Sequence, residues 1–432
     1  MKHKHLPSRL LSVLLVFALL CGFAVPAAAA EDTQTEISFR QVDNGRVSAD
    51  EREPAADEEL TQPEYEDTDT VRVSIFLKGE STVAAGFSTE GIASNLAARA
   101  YRAKLRAAQD TLTVSIERVT GEKLDVVWNM TLAANAISAN VEYGQIAAIA
   151  QLPEVEKVVL ETRYEPQQSV TSAENEPNMV ISSQMTGTNV AWQAGYTGAG
   201  MRVAIIDTGL DLDHQSVDPE ALAVALREDA EKAGLSYDEY LAKLDLLDAE
   251  EIAQVLPQLN ASERYKDLTA QELYVNLKAP FGFNYVDASL ELTHDKDTEG
   301  GHGSHVAGIA AANRYVKQNG EYVSAADSVY MVGNEPDAQI IVMKVFGQNG
   351  GAYESDYMAA IEDAILLGCD SVNLSLGSGR AGEPHDDTYD NLLASLTGTD
   401  TVVITSMGNS ARRRRAAMPT PSPARSAPSC ST

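Results

Sequence analysis

Cysteine is nearly missing from this chain: Cys21, Cys369 and Cys430 are the only three in 432 residues. So few cysteines exclude the disulfide framework that holds many small secreted domains together. The fold must therefore depend on a large apolar core, and a hydrophobic content of 44% over this length allows more than one domain. Cys369 lies in the apolar stretch AILLGCDSV, which predicts a small buried side chain.

Basic residues are also scarce relative to acidic ones. The chain has 33 lysines and arginines against 63 aspartates and glutamates, a net charge of −30 at pH 7. Such a charge disfavours association with nucleic acid and with anionic membrane surfaces. We therefore expect no nucleic-acid partner.

Residues 1–30 have the three-part layout of a secretory signal peptide. MKHKHLPSRL supplies positive charge, LSVLLVFALLCGFAV is apolar, and Ala28-Ala29-Ala30 fits a cleavage site. The apolar stretch is shorter than the ~20 residues that a membrane-spanning helix needs, which favours a signal peptide over an anchor. We predict a secreted protein, extracellular or associated with the cell envelope, that meets the membrane only through its signal peptide during export.

After residue 30 the composition divides the chain into five segments. Residues 31–70 are acidic and polar and predict a disordered linker. Residues 71–166 alternate between strand-like and helix-like patterns (strand, helix, strand, helix, strand), which predicts a compact α+β domain. Residues 167–180 are polar and predict a cleavable hinge. Residues 181–410 predict a larger α/β domain, and residues 411–432 form an aberrant tail of Arg, Pro, Ser and Ala.

The α/β domain is predicted from apolar runs that alternate with helical patterns. GMRVAIIDTGLD, AQIIVMKVFG, DSVNLSLGS and DTVVITSMGN are strand-like, and DYMAAIEDAILLG is helix-like. This alternation predicts a parallel sheet with helices on both faces, whose ligand chemistry lies at the carboxyl ends of the strands. Residues 218–277 form an insertion of amphipathic helical character. It could be a surface elaboration, which we favour, or a wall of a substrate groove.

Four motifs that could take part in catalysis or binding fall at strand ends or at a helix start. Asp207 ends a buried strand before a glycine turn, and His302 lies between glycines at the start of a helix of small residues. SVNLSLGSG ends a strand with free backbone groups suited to an extended peptide, and VVITSMGN offers the side-chain amide of Asn409 at a strand end. His302 and His305 could instead be metal ligands, but they lack the acidic partner of a zincin helix. Alone, Asn409 would be an ordinary turn residue, but the four motifs in this order are hard to explain by chance.

Together these motifs resemble the subtilisin-like serine proteases, or subtilases, over roughly residues 71–410. The resemblance implies that Asp207 is the aspartate of the catalytic triad, that His302 is its general base and that Asn409 donates to the oxyanion. Ser304 stands where the family usually has threonine. The implied substrate-binding residues lie in two strands that face each other: Ser375, Leu376 and Gly377 in one, Gly350 and Gly351 in the other. The layout is most similar to the large cell-envelope subtilases of Gram-positive bacteria.

The resemblance implies a secreted endopeptidase that hydrolyses protein or peptide substrates through an Asp-His-Ser triad. Residues 71–166 would then be a propeptide, which acts as a folding chaperone and intramolecular inhibitor. No cofactor is needed for catalysis. Subtilases often hold a structural calcium ion, but acidic clusters such as Asp211, Asp213 and Asp218, or Asp295 and Asp297, are typical of solvated surfaces and do not place one.

The sequence departs from the family at the nucleophile. The G-T-S-M-A motif that carries the catalytic serine is absent, and the serines after Asn409 (Ser410, Ser422, Ser426, Ser429 and Ser431) have no apolar run beside them.

The tail could be a basic disordered extension, the terminus of a catalytically dead relative, or the product of a frame shift or truncation after Ser410. We favour the last, because stopping a parallel sheet there leaves an apolar edge open. We expect this chain to be inactive as written; the alternative function is a pseudoprotease that binds extended peptides.

Overall fold

The structure, a computed structural model, describes residues 65–164, 179–295, 300–348, 350–376, 388–397 and 399–406. The predicted signal peptide, most of the acidic linker, hinge residues 167–178 and the tail lie outside these residues. So do two of the predicted site residues, Gly377 and Asn409. In the described part of the chain, no helix combines the length and the apolar character needed to cross a membrane.

The N-terminal α+β domain is built on a four-stranded antiparallel sheet with the strand order β2-β3-β1-β4. Its elements are β1 (Thr70–Leu77), α1 (Leu96–Thr120), β2 (Asp125–Met130), β3 (Ala136–Glu142), α2 (Ile146–Ile149), β4 (Val155–Leu160) and β5 (Arg163–Tyr164). Asn95 caps α1 by accepting hydrogen bonds from the backbone N–H groups of Ala97 and Ala98. Leu112 and Ile116 of α1 pack against apolar residues of the sheet and form the core of this domain.

The sequence predicted a single strand between the two helices of this domain, which is wrong, because two strands, β2 and β3, separated by a turn occupy that stretch. The backbone N–H groups of residues 131–134 donate to the carboxylate of Glu362 rather than to a neighbouring strand. The apolar composition therefore continues through the turn, while the backbone hydrogen bonds of the sheet do not. The acceptor is more than 200 residues away and could not be predicted locally.

The remaining elements follow in chain order. They are α3 (Met179–Thr186), α4 (Thr188–Gln193), β6 (Arg202–Asp207), α5 (Pro219–Ala233), α6 (Tyr237–Leu241), α7 (Ala249–Val255), α8 (Asn260–Arg264), α9 (Ala270–Leu273), β7 (Phe281–Asn284), α10 (His302–Ala311), β8 (Tyr315–Gln318), β9 (Glu321–Ser324), α11 (Ala325–Ser328), β10 (Gln339–Lys344), β11 (Ala352–Tyr353), α12 (Glu354–Leu366), β12 (Ser371–Leu374), α13 (Thr388–Ser395) and β13 (Val402–Thr405). The predicted insertion is helical, with α5 to α9 inside it.

The larger domain contains a five-stranded parallel sheet in the order β13-β12-β6-β10-β7. Successive residues of β6 and β10 point to opposite faces. On one face, Val203 and Ile205 pack with Ala307 of α10. On the other, Ala204 and Ile206 share an apolar cluster with α12. The predicted α/β fold class, with helices on both faces, is confirmed. Sequence reasoning missed β7, because its four residues, FGFN, are too short to show a period.

Candidate active site

Asp207 is the last residue of β6 and is fully buried. Because β6 lies between β10 and β12, the end of this strand falls in the middle of the carboxyl edge of the sheet. Its Oδ1 atom accepts a hydrogen bond from the backbone N–H of Thr208 at 2.7 Å. The carboxylate is therefore held in one orientation at the position where α/β sheets carry their chemistry.

His302 begins α10, and its Nδ1 atom lies 2.8 Å from Oδ1 of Asp207. The side chain is 23% exposed. The hydrogen bond to Asp207 raises the pKa of His302 above its usual value of 6.5, and this effect exceeds the opposing effect of burial. With Nδ1–H donating to the carboxylate, the lone pair of Nε2 is left to accept a proton. The structure thus brings together two residues that the sequence motifs had placed in one site.

Two glycines allow the helix to approach the strand end this closely. A Cβ atom on Gly303 would lie 2.3 Å from the carbonyl oxygen of Gly209, and Gly209 itself has a φ of 111°. The backbone N–H of Gly303 donates to Oγ1 of Thr208 at 2.9 Å. Oγ of Ser304 accepts from the backbone N–H of Asp211 at 2.8 Å. These contacts tie the first turn of α10 to the loop after Asp207 and so fix the imidazole.

Lys344 is a buried residue of this site that sequence reasoning missed. It ends β10, next to Asp207 in the sheet register, and its Nζ donates to the carbonyl oxygen of Thr208. A lysine at the end of the apolar run QIIVMK is the signal that could have drawn attention to it. Its contact supports the turn after Asp207 from the neighbouring strand.

The first group of predicted substrate-binding residues is described in part. Ser375 and Leu376 follow β12, which neighbours β6, so they lie at the same edge of the sheet as Asp207. Oγ of Ser375 accepts from Asn373 at 2.9 Å, and the carbonyl oxygen of Leu376 accepts from Oγ of Ser406 at 2.7 Å. The substrate contacts of these residues stay a prediction.

The second predicted group of substrate-binding residues, Gly350 and Gly351, contacts the N-terminal domain of the same chain. Gly350 and Gly351, each with a φ of 71°, precede β11, and β11 pairs antiparallel with β5 of the N-terminal domain. The guanidinium of Arg163 donates to the carbonyl oxygen of Gly350 at 3.3 Å, and a Cβ on Gly351 would overlap this side chain. The two residues that directly follow Gly351, Ala352 and Tyr353, therefore pair with residues 163–164.

Buried carboxylates on α12 join the two domains. Glu362 accepts the four backbone hydrogen bonds of residues 131–134, at distances from 2.8 to 3.2 Å. Asp356 accepts from the indole N–H of Trp128 at 2.8 Å. Burial raises the pKa of both carboxyls. Helix α12 is buried along its whole length, and its residues Glu354, Asp356 and Glu362 accept hydrogen bonds from the N-terminal domain.

A second group of carboxylates lies beside β5. Glu161 accepts from the hydroxyls of Ser74, Ser138 and Ser355 at 2.7 to 2.8 Å. The backbone N–H of residue 162 donates to Glu354. Burial and the nearby Glu161 raise the pKa of Glu354 to about 8. These contacts hold the end of the N-terminal domain next to Gly350 and Gly351.

The described residues contain no group of three or more His, Cys, Asp or Glu side chains that could hold a metal ion. Two of the acidic residues that were considered for calcium, Asp211 and Asp218, have local structural partners. Asp211 accepts from the backbone N–H of Asp213, and Asp218 caps α5. His305, three residues after His302, is exposed on α10.

The model of the subtilase family matches residues 198–429, more than half of the chain. This chain belongs to the subtilase family. The predicted resemblance is thereby confirmed, and the family is one of serine-type peptidases.

Related subtilases are found among Gram-positive bacteria. The PI-type proteinase of Lactococcus lactis subsp. cremoris is 29% identical over 310 residues, which cover 71% of this chain and 14% of that protein. The minor extracellular protease Vpr of Bacillus subtilis is 27% identical over 285 residues, 66% of this chain and 26% of Vpr. The chain thus spans about one seventh of the length of the first of these relatives. These matches support the cell-envelope type of layout.

Among solved structures, the epidermin leader peptide processing serine protease EpiP from Staphylococcus aureus aligns with a TM-score of 0.41 and 15% identity. The alignment covers 79% of this chain and 60% of that chain.

Proposed function

We propose that Asp207 and His302 are the aspartate and general base of a secreted serine endopeptidase. The observation that carries the proposal is the 2.8 Å contact between Nδ1 of His302 and Oδ1 of Asp207, at the carboxyl edge of a parallel sheet in a subtilase. This contact leaves Nε2 of His302 as the proton acceptor, which is the arrangement that activates a serine hydroxyl.

The reaction is acyl transfer from a peptide bond to serine and then to water. Nε2 of His302 takes the serine proton as the serine oxygen bonds to the carbonyl carbon. Asp207 stabilises the imidazolium, and Asn409 donates to the oxyanion. The imidazolium returns the proton to the leaving amine, and water then hydrolyses the ester by the same steps. The hydrogen bond to Asp207 makes His302 a stronger base for the first transfer.

The nucleophile is the part of this mechanism that the sequence does not provide. No G-T-S-M-A motif occurs, and in subtilisin, the family's namesake, loss of the nucleophile lowers turnover by about 10⁶. We therefore propose that the 432-residue polypeptide by itself does not hydrolyse peptides. The second candidate function, a pseudoprotease that binds extended peptides, is favoured by this one observation.

The N-terminal domain is proposed as an intramolecular inhibitor. The pairing of β5 with β11 supports this role, because residues 163–164 occupy the strand next to Gly350 and Gly351 where a substrate backbone would pair. A substrate could enter only after these residues leave. An extended peptide would then take their place, between the segment of Gly350 and Gly351 and the segment of Ser375, Leu376 and Gly377.

Secretion is proposed from the layout of residues 1–30, which contain a charged start, an apolar stretch and a small-residue cleavage site. The relative Vpr is named as an extracellular protease, which agrees with this proposal. The proposed substrates are proteins or peptides, and the mechanism requires no cofactor.

A fluorophosphonate probe, which reacts only with an activated serine, tests the proposal. It is applied to the 432-residue chain and to a version continued in whichever reading frame after codon 409 encodes a G-T-S-M-A motif. We expect labelling and casein cleavage only in the continued version, both lost on His302→Ala. Casein cleavage by the 432-residue chain that depends on His302 would contradict the proposed inactivity. If a continued chain carries the motif and stays unlabelled, the endopeptidase proposal is wrong.

A further inference from the structure

The helical insertion between Asp207 and His302 contacts the N-terminal domain. Leu259 and Ala261, at the start of α8, are fully buried. They belong to the same apolar cluster as Val127, Trp128 and Met130 of β2. Because this cluster also includes residues of α12 and of the parallel sheet, the two domains share one core through the insertion.

The centre of this contact is Trp128, which is 1% exposed. The guanidinium of Arg264 lies 5.2 Å from the centroid of its indole ring, and Nη1 of Arg264 reaches the carbonyl oxygen of Val127 at 3.5 Å. On the other side, the indole N–H donates to Asp356 of α12. Trp128 is therefore held between the insertion and α12, and buried Trp and Arg side chains carry much of the energy of protein interfaces.

Polar contacts extend the interface along α1. Nη2 of Arg102 donates to the carbonyl oxygen of Gln258 at 3.0 Å, and Nε2 of Gln258 donates to the carbonyl oxygen of Ala93 at 3.0 Å. Arg106 forms an ion pair with Glu263. Residues 256–264, which we call the insertion ridge, thus contact α1 and the turn before it as well as β2.

The insertion ridge is fixed to the catalytic domain by Asp363 of α12. Its carboxylate accepts from the backbone N–H groups of Asn260 and Ala261 at 2.6 and 3.0 Å, and from the hydroxyl of Tyr285 at 2.9 Å. The side-chain amide of Asn260 donates to the carbonyl oxygen of Ala359 at 3.1 Å. Because its position is set by α12, the ridge can present its outer side chains as a preformed surface.

We propose that the insertion ridge is a docking surface for the chain's own N-terminal domain, additional to α12. It determines how long that domain stays bound after the chain between them is cut. This differs from both earlier alternatives, a surface elaboration and a wall of the substrate groove. The docking is inferred from the contacts between the insertion ridge and the N-terminal domain. Only its consequence, delayed access of substrate to the active site, rests on the proposed function.

The experiment measures the dissociation rate of the N-terminal domain from the otherwise complete chain. A recognition sequence for a specific protease is inserted between Gln168 and Ser169, the chain is cut, and the sample is diluted. Tryptophan fluorescence reports release, because Trp128 is one of only two tryptophans and lies in the interface. Size-exclusion chromatography confirms that the fragments separate.

We expect Arg264→Ala to speed dissociation about tenfold, the effect of losing a partly desolvated cation–π contact. Glu263→Arg should speed it about two- to fivefold, because Glu263 is exposed and exposed ion pairs are weak. Adding Arg106→Glu to Glu263→Arg should restore the rate to within about twofold. The matched control is Glu231→Arg, the same charge change at an exposed position of α5, elsewhere in the insertion, and it should not alter the rate.

Equal dissociation rates in all variants, or release of the unmodified domain as soon as the chain is cut, would overturn the docking inference. Thermal unfolding of each uncut variant shows whether a changed rate reflects a damaged fold. None of these readouts requires peptidase activity. A chain that docks as expected but whose continued version stays unlabelled by fluorophosphonate would therefore overturn the proposed function alone.

Discussion

Asp207 and Glu362 are both fully buried carboxylates, yet their surroundings differ. Asp207 ends a strand and contacts an imidazole whose other nitrogen can take a proton. Glu362 lies within a helix and accepts four backbone N–H groups, which neither ionise nor bind a further proton at ordinary pH. Burial alone therefore does not distinguish these two carboxylates; the chemistry of their hydrogen-bond partners does.

The two carboxylates also differ in what they depend on. The partners of Asp207, at Thr208 and His302, belong to the larger α/β domain, whereas those of Glu362 belong to the N-terminal domain. Departure of the N-terminal domain would leave Asp207 paired and Glu362 without these donors. The comparison predicts that the two sites respond independently to mutation.

The largest effect is expected for Glu362→Ala, which removes the acceptor of four buried backbone donors. Buried groups left unsatisfied cost about 1–3 kcal/mol each, and their effects are not additive. We expect the free energy of unfolding to fall by about 3–5 kcal/mol in urea denaturation. Glu362→Gln, which keeps an acceptor oxygen, should lose less. A loss below about 1 kcal/mol, or a changed titration of His302, would break the proposed independence of the two sites.

A smaller effect is expected for Gly303→Ala, which changes the surroundings of Asp207. The added methyl would lie 2.3 Å from the carbonyl oxygen of Gly209, so α10 must move away from the end of β6. We expect a loss of about 1–3 kcal/mol in unfolding free energy, typical of overpacking, together with a weakened contact between His302 and Asp207. Gly301→Ala is the control, because its added methyl meets only His294 at 3.5 Å. Equal losses in both variants would contradict the close-approach argument.

The smallest effect is expected at Ser304, whose hydroxyl accepts from the backbone N–H of Asp211. Ser304→Ala should cost about 1 kcal/mol, the usual net value of one hydrogen bond. Ser304→Thr keeps the hydroxyl and introduces the residue that the family usually has, so its unfolding free energy should stay close to that of the unmodified chain. Thermal unfolding distinguishes the two. If both variants lose the same stability, the hydrogen bond between Ser304 and Asp211 does not account for the loss.

The parts that could be predicted from the sequence are those specified by local patterns. The strand before Asp207 and the glycine-flanked helix start at His302 are contiguous motifs, and parallel strands bring their carboxyl ends to one edge. The parallel sheet with covered faces followed from the same alternation of apolar runs. The end of the strand at Asp207 and the start of the helix at His302 are each specified by residues within a few positions of these side chains.

The missed features depend on partners that are distant in sequence. The turn at residues 131–135 is stabilised by Glu362, and the strand at residues 163–164 exists because Ala352 and Tyr353 pair with it. The contact of Arg264 with Trp128 likewise joins segments more than 100 residues apart. No local composition encodes such pairings. The roles of Gly377 and Asn409, outside the described residues, stay predictions.

The most direct test of the account is a titration of His302 by NMR in the 432-residue chain with labelled histidine, assigned by loss of its signal in His302→Gln. The pKa should lie above 6.5 and should fall to or below it in Asp207→Asn, because the hydrogen bond to Asp207 raises it and burial lowers it. By linkage, the stability from this pair is fully present below the unfolded pKa and is lost as the pH rises through the folded pKa. Asp207→Asn should remove that pH dependence. A His302 that titrates at or below 6.5 with Asp207 present would contradict the assignment of this pair as the base and its aspartate.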